Sequence, residues 1–278
     1  MNEAALPACE RDVWPIALTI AGFDPSSGAG ISADLKVFAA HRVYGMACIT
    51  ALTVQSTLGV RRVEPVEAAT VREMLACLRE DAVPAGVKIG MLATAGIVDE
   101  VAEFLAFGGV VRERVVLDPV VRSSSGRELL DREGVVRLRA ELLGRVGWVT
   151  PNVDELAVLV GAAPLEREDV PRAAAELGRA YPGLHVLVTG GEMERPDDFL
   201  LLPSGESVWL EGSRVETTST HGTGCALSSA LLCELIAGKG PEAAARDAKE
   251  YVTKALRAAY AVGRGRGPMD HLFGMCMG

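Results

Sequence analysis

Short apolar runs alternate with stretches in which apolar residues recur every three to four positions, and the two patterns take turns along most of the chain. Residues 16–22 read as a first buried strand. A loop over 23–29 follows, and the spacing of Ile31, Leu35 and Phe38 puts apolar side chains on one face of a helix reaching about His41. The pattern then predicts strands over 46–55 and 59–63, a helix over 66–81, a strand over 86–89, a helix over 94–107 and a buried strand over 115–118. A helix over 134–143, a strand over 147–150, helices over 153–160 and 170–180, and a strand over 185–189 continue it. Two short runs, 198–202 and 207–210, flank the turn Pro203-Ser204-Gly205-Glu206 and read as an antiparallel hairpin. Helices over 222–238 and 241–262 close the alternation, and 1–14 and 263–278 read as loosely attached ends. Such a pattern predicts an α/β fold with a mostly parallel central sheet and helices on both faces. No long linker, composition shift or internal repeat interrupts it, so a single domain over 1–278 is expected.

With 278 residues, 49% of them hydrophobic and 23% charged, the chain can bury a large core and does not resemble a disordered tail or a collagen-like fibre. Its 28 Lys and Arg against 37 Asp and Glu give a formal charge of −9, which disfavours nucleic acid and anionic membrane as partners. No apolar run approaches the ~20 residues needed to span a bilayer. Glu3, Glu10, Arg11 and Asp12 leave no room for a signal-peptide pattern. Cys9, Cys48, Cys77, Cys225, Cys233 and Cys276 form no C-x-x-C pair, which argues against a zinc ribbon or redox motif and predicts a reducing cytoplasmic setting.

Ligands of open α/β sheets bind outside the carboxyl ends of the strands, which singles out four loops. In Thr220-His221-Gly222-Thr223-Gly224-Cys225-Ala226 a glycine turn opens a helix. Small residues there can aim free N–H groups at one point, with the helix dipole favouring negative charge: an anion hole for a phosphoryl group. Cys225 would share that field, which would favour its thiolate and equip it as a base. The same spacing fits a glycine turn packing closely on the sheet equally well.

Asp24-Pro25-Ser26-Ser27-Gly28-Ala29-Gly30 formally carries, with Ala33, the dinucleotide pattern G-x-G-x-x-A. The glycine is too far from the strand, however, and no acid ends the next strand, so a polar turn or a substrate loop remains. Asp118 follows Val115-Val116-Leu117, where a carboxylate could hold Mg²⁺ through water or simply end a strand. Asn152 and Glu155 have the spacing of a helix-capping pair. The chain contains no P-loop, no H-E-x-x-H and no G-x-S-x-G elbow.

Read together and in order, these segments resemble the hydroxymethylpyrimidine/phosphomethylpyrimidine kinases of thiamine synthesis, within the ribokinase-like superfamily. The likeness runs over roughly 16–272, through Ala17-Leu18-Thr19-Ile20-Ala21-Gly22, Asp24-Pro25-Ser26, Gly28-Ala29-Gly30-Ile31, Ala33-Asp34-Leu35-Lys36, Tyr44-Gly45-Met46 and Ile49-Thr50-Ala51-Leu52-Thr53. It continues through Lys88-Ile89-Gly90-Met91-Leu92, Val116-Leu117-Asp118-Pro119-Val120, Thr150-Pro151-Asn152 and Thr220-His221-Gly222-Thr223-Gly224-Cys225. The resemblance implies a ribokinase-like sheet, ATP with Mg²⁺ as donor and a hydroxymethylpyrimidine as acceptor. It implies an anion hole at Gly222, Thr223 and Gly224, with Cys225 as base. Gln55 would bond the pyrimidine edge, Ala29 and Met91 would line the ring pocket, and Asp34 would lie near the acceptor end.

By the same likeness Asp118, Asn152, Glu155 and Thr189 would serve ATP, phosphates and metal, with Asp118 and Glu155 holding Mg²⁺ through water. A homodimer is suggested by the family only. Thr189 stands where many relatives have Lys, and Arg122-Ser123-Ser124-Ser125-Gly126 departs from the common pattern in its first residues. A pyridoxal or pyridoxine kinase of the same fold is the first alternative. A non-catalytic module binding the pyrimidine phosphate is the second, and the presence of Cys225 with the glycine turn argues against it.

Overall fold

The computed structural model describes residues 13–123, 126–191 and 193–275. Among the described residues nine strands form one sheet in the order β3-β2-β1-β4-β5-β6-β7-β8-β9. They are β1 (Ile16–Phe23), β2 (Tyr44–Ser56), β3 (Gly59–Pro65), β4 (Gly86–Ile89), β5 (Val115–Leu117), β6 (Trp148–Val149), β7 (His185–Val188), β8 (Asp198–Leu201) and β9 (Ser207–Leu210). From β2 through β1 and β4 to β7 the pairing is parallel, whereas β3 at one margin and β8 and β9 at the other are antiparallel. The hairpin predicted over 198–210 is β8–β9, in register from Asp198 opposite Leu210.

The helices are α1 (Gly30–Ala40), α2 (Ala68–Asp81), α3 (Ala95–Ala106), α4 (Arg132–Arg137), α5 (Val153–Val160), α6 (Val170–Ala180), α7 (Thr223–Ile236) and α8 (Pro241–Arg257). Successive strand residues face opposite ways, and that alternation divides the core into two layers. Leu18, Ile20, Val87, Ile89, Val115, Leu117, Val186 and Val188 pack with the helices α2, α3, α5 and α6. Ala17, Val116, Trp148 and Leu187 pack on the other face with α1, α7 and α8. The middle of α7 is buried all the way round, from Ala226 to Cys233, as its lack of a polar stripe requires.

Three expectations change. The single helix expected over 134–143 is α4 followed by a wider π-helical turn over 138–142 and a tighter one over 143–145. The interruption lets Leu138, Leu142 and Leu143 all reach the core. α8 stops at Arg257 instead of 262, after which the Tyr260 carbonyl accepts a hydrogen bond from Ser219 Oγ at 3.2 Å.

The segment from Gly263 onward is not a loose end over its described part. His221 N–H donates to the Gly267 carbonyl at 3.1 Å, Asp270 N–H to Ala255 at 3.1 Å and Tyr251 Oη to His271 at 2.5 Å, with Met269 and His271 buried. A glycine turn in this segment crosses the β2–β3 connection so closely that a Cβ at Gly265 would lie 2.0 Å from the Thr57 carbonyl oxygen. Residues 1–12 and Cys276, with Cys9, lie outside the described residues, as do Ser124 and Ser125.

Candidate active site

Apart from the turn before α7, the segments singled out in the sequence emerge at the carboxyl ends of parallel strands: Asp24 after β1, Gln55 near the end of β2, Met91 after β4, Asp118 after β5, Asn152 after β6 and Thr189 after β7. They form three neighbouring groups.

The first is the loop that follows β1. Asp24 is 3% exposed and holds the loop together as an Asx turn: its Oδ1 accepts from Ser26 N–H at 2.8 Å and Ser26 Oγ at 2.7 Å. Its Oδ2 accepts from Gly28 N–H at 3.1 Å, Ala29 N–H at 2.9 Å and His221 Nε2 at 2.8 Å. Burial works to raise this carboxyl, but the bonds from His221 and Ser26 outweigh it and hold the pKa at about 2. Gln55 presents its side-chain amide 2.9 Å from the same His221 nitrogen, so Gln55, His221 and Asp24 form one row.

Two glycines are required by close approach. A Cβ on Gly222, at φ +81°, would meet the Gly28 carbonyl oxygen at 1.8 Å, and one on Gly30, at φ +56°, would meet that of Gly22 at 2.2 Å. The loop and the turn before α7 therefore lie against one another. Ala29 is partly exposed, and Met91 packs with Ala51, Ala93 and Leu129 beside Val63 and Val120.

The second group lies beneath the turn. Cys225 is the third residue of α7, and its thiol lies close to Asp118, Lys88 and the Gly30 backbone. Lys88 is fully buried with its ammonium 3.0 Å from both oxygens of Asp34, which also accept from Thr19 Oγ1 at 2.6 Å and Ser229 Oγ at 2.8 Å. Asp34, expected near the acceptor end, is wholly buried, and its oxygens are engaged by β1, β4 and α7. Burial opposes the Lys88 charge, yet Asp34 beside it holds its pKa up. Asp118 is raised by burial, against the pull of Lys88.

The structure does not favour the thiolate expected at Cys225. Burial pushes the thiol up to about 12; Lys88 opposes this, while Asp118 and Asp34 reinforce it. A helix N-terminus acts over one turn and cannot offset desolvation together with two carboxylates.

The third group opens as a cleft of about 370 Å³ that has Asn152, Asp154, Glu166, Arg167, Thr189 and Glu194 among its walls. The capping pair read from the sequence is present. Asn152 Oδ1 accepts from Glu155 N–H at 2.8 Å, and Glu155 Oε2 accepts from Asn152 N–H at 3.0 Å. Glu155 Oε1 also faces Val121 N–H at 3.4 Å, which ties the start of α5 to the segment after Asp118. Among the described residues no cluster of three or more His, Cys, Asp or Glu could hold a metal unaided. Two buried carboxylates, Asp118 and Glu155, do suit Mg²⁺, which binds through one or two carboxylates and completes its shell with water and substrate phosphates.

Sequence reasoning assigned no site role to Lys88, Thr19, Ser229 or His221. A signal was present for the first two. Lys88 interrupts the apolar strand β4 and Thr19 the apolar strand β1, and the two are paired in register on the face that meets α1 and α7.

The phosphomethylpyrimidine kinase family model matches residues 24–270. The hydroxymethylpyrimidine/phosphomethylpyrimidine kinase of Haemophilus influenzae is 38% identical over 262 residues, which cover 91% of this chain and 95% of that one. Among solved structures, phosphomethylpyrimidine kinase from Clostridium difficile superimposes with a TM-score of 0.76 at 34% identity, over 87% of this chain and 99% of its own. An ADP complex of Bacillus subtilis pyridoxal kinase gives 0.83 at 31% identity, over 93% and 98%. Matched across its sheet and through every loop of the site, this chain belongs to the phosphomethylpyrimidine kinase family, ribokinase-like phosphotransferases.

Proposed function

We propose that the protein uses ATP to phosphorylate hydroxymethylpyrimidine and then its monophosphate, as a step of thiamine biosynthesis. The observation that carries this reading is the Gly222–Cys225 turn, seated at the start of α7 against the loop held by Asp24, with Cys225 beside Asp118. In this reading Gly222, Thr223 and Gly224 present backbone donors to the phosphoryl group, where charge on its oxygens is stabilised without reorganisation. Ala29 and Met91 line the ring pocket, and the Gln55 amide both donates to and accepts from the aminopyrimidine edge.

Cys225 takes the hydroxymethyl proton as the alcohol oxygen attacks the γ-phosphorus and ADP departs. Because the resting group is the thiol, its proton must leave first, so turnover rises with pH through the neutral range. Asn152 and Thr189 line the cleft for the nucleotide. Asp118 and Glu155 hold Mg²⁺ through water, and the ion supplies charge neutralisation on the phosphates when bound.

We place the enzyme in the cytoplasm; the free thiols of Cys48, Cys77, Cys225 and Cys233 support this, and no described helix is long and apolar enough to cross a membrane. A homodimer rests on the family likeness alone. The similarity to pyridoxal kinase keeps one second acceptor in view, a hydroxymethylated pyridine. Mass spectrometry of ATP reactions offered hydroxymethylpyrimidine, its monophosphate and pyridoxine side by side tests the reading. It expects pyrimidine mono- and diphosphate as the main products. Phosphorylation of pyridoxine alone would transfer the assignment to the pyridine alcohol, and no ATP consumption with any acceptor would remove the kinase reading.

A further inference from the structure

Arg167 is the one Lys or Arg on the described walls of the cleft that holds Asn152 and Thr189, and it faces three carboxylate residues there, Asp154, Glu166 and Glu194. Its guanidinium is held on two sides. Nη2 donates to Asp197 Oδ2 at 2.8 Å, and Cζ sits 3.8 Å over the ring of Trp209 on β9. A planar cation fixed by an edge and a face keeps its remaining donors in a set direction.

Asp197 does not cancel this charge. It is also paired with Arg195 at 3.2 Å and accepts from Gly212 N–H at 2.9 Å, so one carboxylate serves two guanidinium groups. Arg167 Nη1 has no hydrogen-bond partner and is shut off from water. An unused guanidinium donor beside a cleft suits an anionic oxygen with several lone pairs, which is what a phosphate chain offers. Thr189, on the same wall, contributes no charge.

We propose that Arg167 is the cation that receives the phosphate chain of a nucleoside di- or triphosphate in this cleft, an inference that rests on the placing of the nucleotide there. Calorimetric titration with ADP, and with adenosine as a phosphate-free probe, tests it on the wild type and on Arg167→Met, Arg167→Lys and Thr189→Glu. Arg167→Met should weaken ADP about tenfold and flatten its salt dependence while leaving adenosine unchanged. Arg167→Lys, which keeps the charge but loses the fork, should fall between the two, and it carries the test if the Met variant does not fold.

Wild-type ADP affinity in the Arg167 variants, with Thr189→Glu weakened by its added charge, would reject Arg167 and leave the nucleotide in the cleft. Unchanged ADP affinity in all the variants would reject both placements. Equal losses for ADP and adenosine would reduce Arg167 to a structural role and overturn the proposal.

Discussion

The sides of the site proposed for acceptor and for nucleotide are built by different means. On the acceptor side, Asp24 gathers donors from its own loop and from His221, 197 positions away, and the described C-terminal segment bonds to His221 from behind. On the nucleotide side, Asn152 and Glu155 are occupied mainly with each other, and the walls at 165–167 and 193–194 leave an open cleft. A small neutral alcohol brings little binding energy with which to order a site, so its position must be prepared by the protein. A polyphosphate brings charge and many acceptors and can order its own surroundings. Loss of a distant bond should therefore harm the prepared side more.

The sharpest test of the prepared side is Cys225→Ser, which keeps size and helix start but removes the group that can ionise. Turnover should fall ~10²–10⁴-fold in a steady-state assay, with ADP affinity little changed. The wild-type rate should climb with pH, and the Ser variant should lack that limb; equal turnover in the folded variant would remove Cys225 as base. The same thiol adds a stability signature. Its folded pKa of about 12 lies above the ordinary 9.0, so its contribution is present below about pH 9 and is lost as pH rises towards 12. Thermal melts of Cys225→Ser should flatten over that window.

Lys88→Met comes next, because it strands Asp34 in the core without its cation. A loss of ~3–5 kcal/mol in urea unfolding is expected, and pairing it with Asp34→Leu should restore much of that loss. If Lys88→Met alone unfolds like wild type, the buried pair is not what organises the floor of the site.

Gln55→Ala should cost the pyrimidine ~1–3 kcal/mol in a binding titration and leave ADP untouched. Equal effects on both ligands would erase the division between the two sides. Glu155→Gln is the mildest: the cap keeps much of its shape, with a stability change under ~1 kcal/mol, while the Mg²⁺ requirement of turnover rises. An unchanged Mg²⁺ requirement would leave Glu155 a capping residue alone.

Much of this architecture is legible in the chain. The strand periods place β1, β4, β5 and β7, and the spacing of Asn152 and Glu155 foretells a reciprocal cap whose atoms are in place. Illegible was the chemistry that depends on distant partners. Helix-terminal placement predicts an ionised Cys225, but burial and the carboxylates of Asp118 and Asp34, from other elements, reverse it. Asp34 looked like an acceptor-side group until Thr19, Lys88 and Ser229 engaged its oxygens. The stretch after 262, polar and glycine-rich, gave no periodic signal for Met269 and His271, whose burial comes from docking on α8 and on the turn at His221.

Local period and local steric demand account for the alternating strands and helices, the glycine turn ahead of α7, the hairpin of β8 and β9, and the order of the loops. Which groups are charged, and which are bonded across the fold, follows from the folded arrangement alone. Hydrophobic period is written in neighbouring residues, whereas a pKa or a buried ion pair depends on the desolvation and field of groups far apart in the chain. His221 beside Asp24, Lys88 beneath Cys225 and Arg167 over Trp209 exist only once the sheet has closed the distance.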